Sequence, residues 1–226
     1  MKYYAILVAG GSGSRMNNTV AKQFLLLGGK PVLMHTIEAF HQCVLNPEIL
    51  VVLNKQQHAY WKSLCNTYDF KIQHQIIEGG TQRYYSVKNG LNAIKEDGIV
   101  AVHDAVRPLV PTELILRSFE NATQKGNAVA GIYPVDSVRS IQNSLEKNSA
   151  LNRDQVMLIQ TPQTFTVEIL KNAYQQPYSD NFTDDASVVE QAGFNINLIT
   201  GSRENLKITW PEDIEIAEVL LKKRGS

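Results

Sequence analysis

Short apolar runs alternate along the chain with segments of helical periodicity, and this alternation restricts the fold more than any other feature. The helical segment 55–70 places Trp61, Leu64, Cys65 and Tyr68 on one apolar stripe, which predicts core packing. The apolar runs are continuous rather than alternating, as in parallel strands that are buried on both faces. We therefore predict an α/β fold, with a mostly parallel twisted sheet flanked by helices. The predicted strands are 3–8, 49–53, 76–78, 99–103, 128–133 and 196–200.

Composition limits the partners that the chain is expected to recognise. Its 226 residues suffice for one domain, which we predict to span residues 1–226. The 22 Lys and Arg residues balance the 22 Asp and Glu residues, so charge favours neither nucleic acid nor an anionic membrane as a partner. No run approaches the ~20 apolar residues of a membrane helix. The N-terminus lacks a secretory signal pattern, which predicts a cytoplasmic location, and Cys43 and Cys65 are expected to be free thiols.

A glycine-rich loop follows the first predicted strand. Gly10, Gly11 and Gly13 allow backbone N–H groups to approach an anion closely, and Arg15 and Lys22 supply positive charge. The loop is therefore a candidate triphosphate site.

Two familiar phosphate motifs do not fit this loop. Met16 stands where a dinucleotide fingerprint needs its third glycine, and Gly29-Lys30 is followed by Pro31 rather than by the Ser or Thr of a Walker loop. A plain glycine turn remains the alternative, although it leaves the adjacent Arg15 and Lys22 unexplained.

A second polar cluster follows the run 99–103. His103, Asp104 and Arg107 emerge at the carboxyl end of a predicted strand, where open α/β sheets bind ligands. Asp104 is a candidate Mg²⁺ ligand, since this ion usually takes one or two carboxylates together with phosphate oxygens. Arg107 is a candidate contact for a second anion. The alternative is a surface ion pair of Asp104 with Arg107, and His103 is expected to pack and form hydrogen bonds.

Three other short motifs carry candidate residues. Exposed backbone groups at Gly79 and Gly80, with the Ser86 hydroxyl, are candidates for reading a nucleobase edge; a helix-entry turn is the alternative. Lys207 lies in a strand-like run, 205–209, where a buried ammonium group requires an anion. The stretch 183–186, Thr-Asp-Asp-Ala, is explained by helix capping alone.

The stretch 136–154 is polar, rich in Ser and Asn, and followed by a predicted Thr-Pro-Gln turn. A connection of this length inside a compact domain is usually functional or disordered. Beyond it, Pro211 with Glu212 and Asp213 predicts the start of the last helix.

The motifs also occur together in one order: L-V-A-G-G-S-G-S-R-M, K-Q-F, G-G-T-Q-R-Y-Y-S-V, H-D-A-V-R-P, T-P-Q-T-F, T-D-D-A-S and N-L-K-I-T-W-P-E-D. In this combination the chain closely resembles the 2-C-methyl-D-erythritol 4-phosphate cytidylyltransferases of the non-mevalonate isoprenoid pathway, from residue 5 to about residue 220. The resemblance implies a Rossmann-like nucleotidyltransferase fold and an enzyme that uses CTP and methylerythritol phosphate. It also implies a homodimer, in which the arm 136–154 of each subunit reaches towards the active site of its partner.

The same resemblance implies roles for individual residues. A catalytic set would surround the triphosphate: Arg15, Lys22 and Lys207. A second set would contact the sugar phosphate, and its first member would also bind Mg²⁺ or another divalent cation: Asp104, Arg107, Ser137, Arg153 and Thr183. A third set would contact the nucleotide: Ala9, Gly10, Gly11, Gly13, Gly79, Gly80 and Ser86. Ser137 stands where Thr is frequent in the family, Ala21 where Pro is frequent, and Trp210 is expected to pack.

Three alternatives remain open. Ribitol 5-phosphate cytidylyltransferases share the first glycine loop, H-D-A-V-R-P and T-P-Q, although the Asp-Asp pair after Thr183 and the run Asn152-Arg153-Asp154 look more like the methylerythritol enzymes. A non-catalytic nucleotide-binding module of the same fold is the second alternative. A dinucleotide-dependent oxidoreductase is the third, and the broken fingerprint speaks against it.

Overall fold

The computed structural model describes residues 1–9, 20–142 and 144–224. Its strands are β1 (Lys2–Val8), β2 (Leu26–Leu27), β3 (Lys30–Pro31), β4 (Glu48–Leu53), β5 (Gln75–Glu78), β6 (Gly98–Asp104), β7 (Asn127–Ile132), β8 (Val138–Gln142), β9 (Ser144–Leu151), β10 (Leu158–Thr166) and β11 (Leu198–Thr200). Its α-helices are α1 (Val32–His41), α2 (His58–Thr67), α3 (Arg83–Ala93), α4 (Thr112–Lys125), α5 (Val167–Ala173), α6 (Asp185–Gln191) and α7 (Glu212–Arg224). Short 3-10 turns lie at Lys22–Phe24, Lys55–Gln57 and Arg153–Gln155.

A seven-stranded sheet in the order β11-β7-β10-β6-β1-β4-β5 forms the centre of the fold. The pairs β1 with β4, β1 with β6, β4 with β5 and β7 with β11 are parallel. All six predicted strands are confirmed within two residues, as β1, β4, β5, β6, β7 and β11. The mostly parallel α/β architecture is therefore confirmed.

The strand β10 was missed, because its Thr-Pro-Gln sequence was interpreted as a turn. It runs antiparallel between β6 and β7. Proline has no N–H to donate and is confined within sheets to edges and irregularities. Pro162 lies where the pairing of β10 with β7 changes register, between Ile159 and Gln163, and the strand tolerates it there.

Helices cover both faces of the sheet. Side chains of α1, α2 and α4 pack on one face, and those of α3, α5 and α6 pack on the other. Alternate residues of β1 serve the two layers: Ala5 and Leu7 face the first, whereas Tyr4 and Ile6 face the second. Trp61 of α2 is fully buried, which confirms its predicted core role. Both cysteines are free thiols, as predicted.

The helix α7 packs outside these layers, against β2. Leu27, Ile208 and Ala217 form part of this third apolar cluster. The predicted start of α7 at residues 211–213 is confirmed, and Asp213 Oδ2 accepts hydrogen bonds from the backbone N–H groups of Thr209 at 2.7 Å and Trp210 at 2.8 Å. Trp210 itself is 51% exposed, so the expectation that it packs was wrong.

The segment 136–154 forms a β-hairpin, in which β8 pairs with β9 in a two-stranded sheet of its own. Every described residue of β9 is exposed. The predicted arm is thus an extended hairpin. In the described parts of the chain, the helices are too short or too polar to cross a bilayer.

Candidate active site

The carboxyl ends of β1, β4, β5 and β6 meet at one edge of the sheet, where the chain order reverses. From β1 the chain proceeds to β4 and β5 on one side, and then returns to β6 on the other side. Val8 pairs with Asp104 across β1 and β6, and Ala105 N donates to Val8 O at 3.1 Å. The loop after β1 therefore begins beside Asp104. Open α/β sheets bind ligands in the crevice at such a reversal.

Part of the predicted phosphate loop lies outside the described residues: Gly10, Gly11, Gly13 and Arg15. The residues on either side of the gap are held together. Buried Ala9 accepts a hydrogen bond from Gln23 Nε2 at 2.8 Å, and the Phe24 ring stacks on Trp61 with centroids 6.1 Å apart. Gln23 and Phe24 belong to the 3-10 turn Lys22–Phe24, whose first residue, Lys22, is half-buried. Because its two neighbours are held in this way, Lys22 is fixed beside the end of β1.

Three cationic side chains surround the buried Asp104 carboxylate. Its Oδ2 lies 3.2 Å from Arg107 Nε and 3.0 Å from Lys207 Nζ. Its Oδ1 faces Arg83 Nε at 3.7 Å. Burial by itself would raise the pKa of Asp104, but the surrounding positive charges, Arg83 foremost, hold that pKa well below its usual range. Asp104 is therefore an ionised carboxylate at neutral pH.

Arg107 is buried together with its partners. Besides contacting Asp104 through Nε, it donates from Nη1 to Asn205 O at 2.8 Å. Burial lowers the pKa of Arg107, because it disfavours the charged form. The alternative of a surface ion pair was wrong, since both partners are buried. A contact between Arg107 and a substrate anion stays a prediction.

Lys207 lies in an irregular segment, so its assignment to a strand was wrong. Its neighbours Leu206 and Ile208 pack in the cluster beneath α7, and Ile208 N donates to Val106 O at 2.9 Å. The Lys207 side chain is 46% exposed rather than buried. The anion that was predicted to pair with Lys207 is the Asp104 carboxylate. Because the Lys207 side chain is half exposed, its ammonium group is also accessible to a ligand.

The strand β10, which the sequence did not predict, connects three segments of the site through hydrogen bonds. Thr161 Oγ1 accepts a hydrogen bond from Asp104 N at 3.0 Å, and Thr161 O accepts one from Asn205 Nδ2 at 2.7 Å. Gln163 Oε1 accepts from Ala186 N at 2.8 Å, at the start of α6. The only sequence signal for this function is the presence of T-P-Q among the family motifs.

The two adjacent carboxylates at the start of α6 have different roles. Asp184 caps the helix, as predicted, and its capping box is completed by Ser187. Capping does not account for Asp185, which is fully buried and accepts both ends of the Arg83 guanidinium fork, at 3.0 and 2.6 Å. Thr183 is exposed immediately before this pair, and its predicted contact with the sugar stays a prediction.

The second glycine turn is closed by internal hydrogen bonds. Gly79 N donates to Leu53 O at 2.8 Å, and Gly80 N donates to Ser86 Oγ at 3.1 Å. Ser86 is buried and donates to Gln82 O at 3.1 Å. The expectation of exposed groups was therefore wrong for these N–H groups and for the hydroxyl. Base recognition by this turn stays a prediction, and the clear role of Ser86 is to fix the turn.

His103 is fully buried, with its ring 5.1 Å from Phe40 and its Nε2 3.3 Å from Arg107 O. Burial lowers the pKa of His103 to about 3. The prediction that this residue packs in the core is confirmed.

Ser137 and Arg153 lie exposed at the base of the arm, where Arg153 Nη1 donates to Val135 O at 2.9 Å. Within residues 1–9, 20–142 and 144–224, neither side chain forms a hydrogen bond or ion pair with the Asp104 cluster. Their contacts with the sugar phosphate stay predictions.

The comparisons with known proteins agree with this geometry. The family model described as "IspD: 2-C-methyl-D-erythritol 4-phosphate cytidylyltransferase" matches residues 3–223. The chain belongs to this family. Two proteins of that name, from Azobacteroides pseudotrichonymphae and Phocaeicola vulgatus, are 53% and 49% identical to it. These matches cover 96% and 98% of this chain and 98% and 100% of the relatives.

Solved structures of the family share the fold. A 4-diphosphocytidyl-2C-methyl-D-erythritol synthase from Anaerococcus prevotii matches with a TM-score of 0.82 and 27% identity, over 98% of both chains. A 2-C-methyl-D-erythritol 4-phosphate cytidylyltransferase from Thermus thermophilus matches with a TM-score of 0.79 and 28% identity, over 98% of this chain and 100% of its own. The Rossmann-like fold implied by the resemblance is confirmed.

Proposed function

We propose that this chain transfers the cytidylyl group of CTP to 2-C-methyl-D-erythritol 4-phosphate, giving 4-diphosphocytidyl-2-C-methyl-D-erythritol and pyrophosphate, in isoprenoid precursor biosynthesis. The observation that carries the proposal is the Asp104 carboxylate among Arg83, Arg107 and Lys207, at the reversal of the sheet beside the loop that follows β1. Family membership over residues 3–223 supplies the substrate pair.

The chemistry of the substrates explains which side chains the site contains. A phosphate monoester has a second pKa of about 6, so the attacking phosphate is already anionic near neutral pH. It attacks the α-phosphorus of CTP, and pyrophosphate leaves. No general base is needed for this reaction, and His103, which precedes Asp104 in the chain, is buried and neutral, with a pKa of about 3.

The task of the enzyme is to align two anions that repel each other and to neutralise charge on the phosphate oxygens. Lys207 is half exposed and pairs with Asp104, so an incoming triphosphate can replace the carboxylate as its partner. Lys22 is fixed beside the end of β1 through its neighbours Gln23 and Phe24. In our proposal these two lysines, with Arg15, bind the triphosphate.

Mg²⁺, or another divalent cation, fits the site as an ion that arrives with the nucleotide. Across the described residues, no group of three or more His, Cys, Asp or Glu side chains is arranged to hold a metal. Mg²⁺ is commonly bound by one or two carboxylates together with substrate phosphates, and the ionised Asp104 can supply one such ligand. When bound, the ion would neutralise negative charge on the phosphate oxygens.

We also propose that the chain acts as a homodimer through the arm. The hairpin exposes Ile141, Leu145 and Leu151, of which Leu145 is 80% exposed. These exposed apolar side chains, on both faces of a ribbon, favour an interaction surface. A cytoplasmic location is consistent with the two free thiols, since oxidising compartments favour disulfides.

Pyrophosphate release from CTP and Mg²⁺ by the purified protein tests the proposed function. Methylerythritol 4-phosphate is compared with ribitol 5-phosphate, and ATP, GTP and UTP replace CTP as controls. We expect release with methylerythritol phosphate and CTP only. Release with ribitol phosphate only would move the enzyme to another pathway, and no release with either acceptor would favour a non-catalytic nucleotide-binding module.

A further inference from the structure

Arg83 connects two carboxylates that lie far apart in the sequence, and the proposed reaction assigns it no role. It is the first residue of α3, directly after the second glycine turn. Nη1 and Nη2 donate to the two oxygens of Asp185, whereas Nε faces Asp104 Oδ1 at 3.7 Å. One guanidinium group therefore links α3, the start of α6 and the end of β6.

The end of the guanidinium that bonds Asp185 is embedded in the protein. Asp185 is fully buried, and its Oδ1 also accepts a hydrogen bond from Tyr174 at 2.7 Å. Burial opposes the charged form of Arg83, but the carboxylates of Asp185 and Asp104 raise its pKa. A buried carboxylate needs such a paired cation, because removal of one partner leaves an uncompensated charge.

The other end of the guanidinium reaches the site. The Arg83 side chain is 31% exposed, whereas that of Asp185 has no exposure. The guanidinium plane is fixed by its bidentate contact with Asp185, and this also fixes the position of Nε opposite Asp104. A lysine has a single ammonium group and cannot make the same set of contacts.

We propose that Arg83 is a positioning residue for cytidylyl transfer, holding the Asp104 carboxylate and the start of α6 at fixed positions relative to each other. Thr183 lies two residues before Asp185, so the same contact also orients the segment that is predicted to meet the sugar phosphate. This inference rests on the proposed function, and it extends that function to a residue whose polar contacts are with Asp104 and Asp185.

The test measures pyrophosphate release and thermal unfolding on a set of full-length variants. Arg83→Gln removes the cation, Arg83→Lys retains the charge without the fork, and Arg83→Gln/Asp185→Asn removes both members of the buried pair. Lys30→Gln is the matched control. The Lys30 side chain is also 31% exposed and pairs with Glu38, an ion pair that has no part in the site.

Arg83→Gln should lower kcat at least about 10-fold, with the KM for CTP changed less than about threefold, since lost positioning raises the transition state without removing a nucleotide contact. It should also lower the melting temperature by about 10 °C, because Asp185 is left unpaired. The double variant should regain most of the melting temperature but not kcat. Arg83→Lys should fold well and still show a kcat reduced about 10-fold. Lys30→Gln should keep the wild-type kcat.

A merely structural role predicts a different pattern. If kcat recovers together with the melting temperature in the double variant, or if Arg83→Lys has the wild-type kcat, Arg83 does not position the site. If the Arg83→Gln protein fails to fold, the kcat values of the double variant and of Arg83→Lys distinguish the two roles. If the wild-type protein releases no pyrophosphate from CTP and methylerythritol phosphate, the proposed function itself is refuted, and the inference falls with it.

Discussion

The two glycines at the end of β5 should respond very differently to the same substitution. A Cβ atom built on Gly80 would lie 2.3 Å from Tyr85 Cβ and 3.0 Å from the Tyr85 carbonyl carbon. A Cβ atom built on Gly79 would meet its nearest neighbours, Leu53 and Ser86, at 3.4 Å. Because optimal carbon–carbon contacts are about 3.5–4.0 Å, Gly80→Ala requires α3 to move by about 1 Å, whereas Gly79→Ala fits with little adjustment.

The expected loss of stability follows from the overlap between the added Cβ atom and Tyr85. Overpacking by one methyl group typically costs about 1–3 kcal/mol, and 1 kcal/mol shifts the melting temperature by about 2–4 °C in a domain of this size. Gly80→Ala should therefore lower the melting temperature by about 2–12 °C, and Gly79→Ala by about 2 °C or less. The displacement also lengthens the 3.1 Å hydrogen bond from Gly80 N to Ser86 Oγ and moves Arg83 at the start of the same helix. The kcat of Gly80→Ala should consequently fall together with its stability.

Differential scanning calorimetry and pyrophosphate release, measured on the two variants in parallel, provide the assay. The reasoning is refuted if Gly80→Ala unfolds at the wild-type temperature, or if Gly79→Ala loses as much stability as Gly80→Ala.

The site, the arm and the core can each be tested by substitution. Lys22→Ala should lower kcat and kcat/KM about 10²-fold or more, because it removes a transition-state contact; near-normal turnover would exclude this role. Arg153→Ala should mainly raise the KM for the sugar phosphate. If the arm acts across subunits, mixed Lys22→Ala and Arg153→Ala proteins should regain some activity in hybrid dimers, and no recovery despite proven subunit exchange would argue against it. His103 has a pKa of about 3 in the fold, below its ordinary value of 6.5, so its contribution to stability is present above pH 6.5 and is lost as the pH falls. Between pH 7 and 5.5 the wild type should lose about 1.2 kcal/mol more unfolding free energy than His103→Phe, as measured by urea denaturation; equal losses would contradict the assignment.

The strands β1, β4 and β6 could be predicted because most of their residues are buried on both faces of the sheet. Such strands read as continuous apolar runs, and the residues that follow them then fall at one edge of the sheet. Asp104 lies at the end of β6 and Gly79 directly follows β5, as predicted. The same reasoning failed for β10, because the local signal of Pro162 favours a turn, and only pairing with β6 and β7 makes the segment a strand.

The parts of the site that the sequence did not predict depend on contacts between distant segments. Asp185 has the sequence signature of a helix N-terminus, yet its burial is decided by Arg83, 102 residues earlier in the chain. Ser86 seemed available to a ligand, but its hydroxyl closes the turn at Gly80. The sequence predicted a buried Lys207 side chain, but that side chain is half exposed and its neighbour Ile208 is buried instead. In each case the residue type was informative, whereas its partner could be found only in three dimensions.

The fate of the α-phosphorus of CTP tests the central claim most directly. The purified protein is incubated with Mg²⁺, methylerythritol 4-phosphate and CTP that carries radioactive phosphorus at the α position, and the labelled products are separated by ion-exchange chromatography. Our account predicts that the label appears in a diphosphate, joined to the phosphorus of the sugar phosphate, with one pyrophosphate formed for each product. Label recovered as CMP, or CTP that remains unchanged while the sugar phosphate is bound, would contradict it.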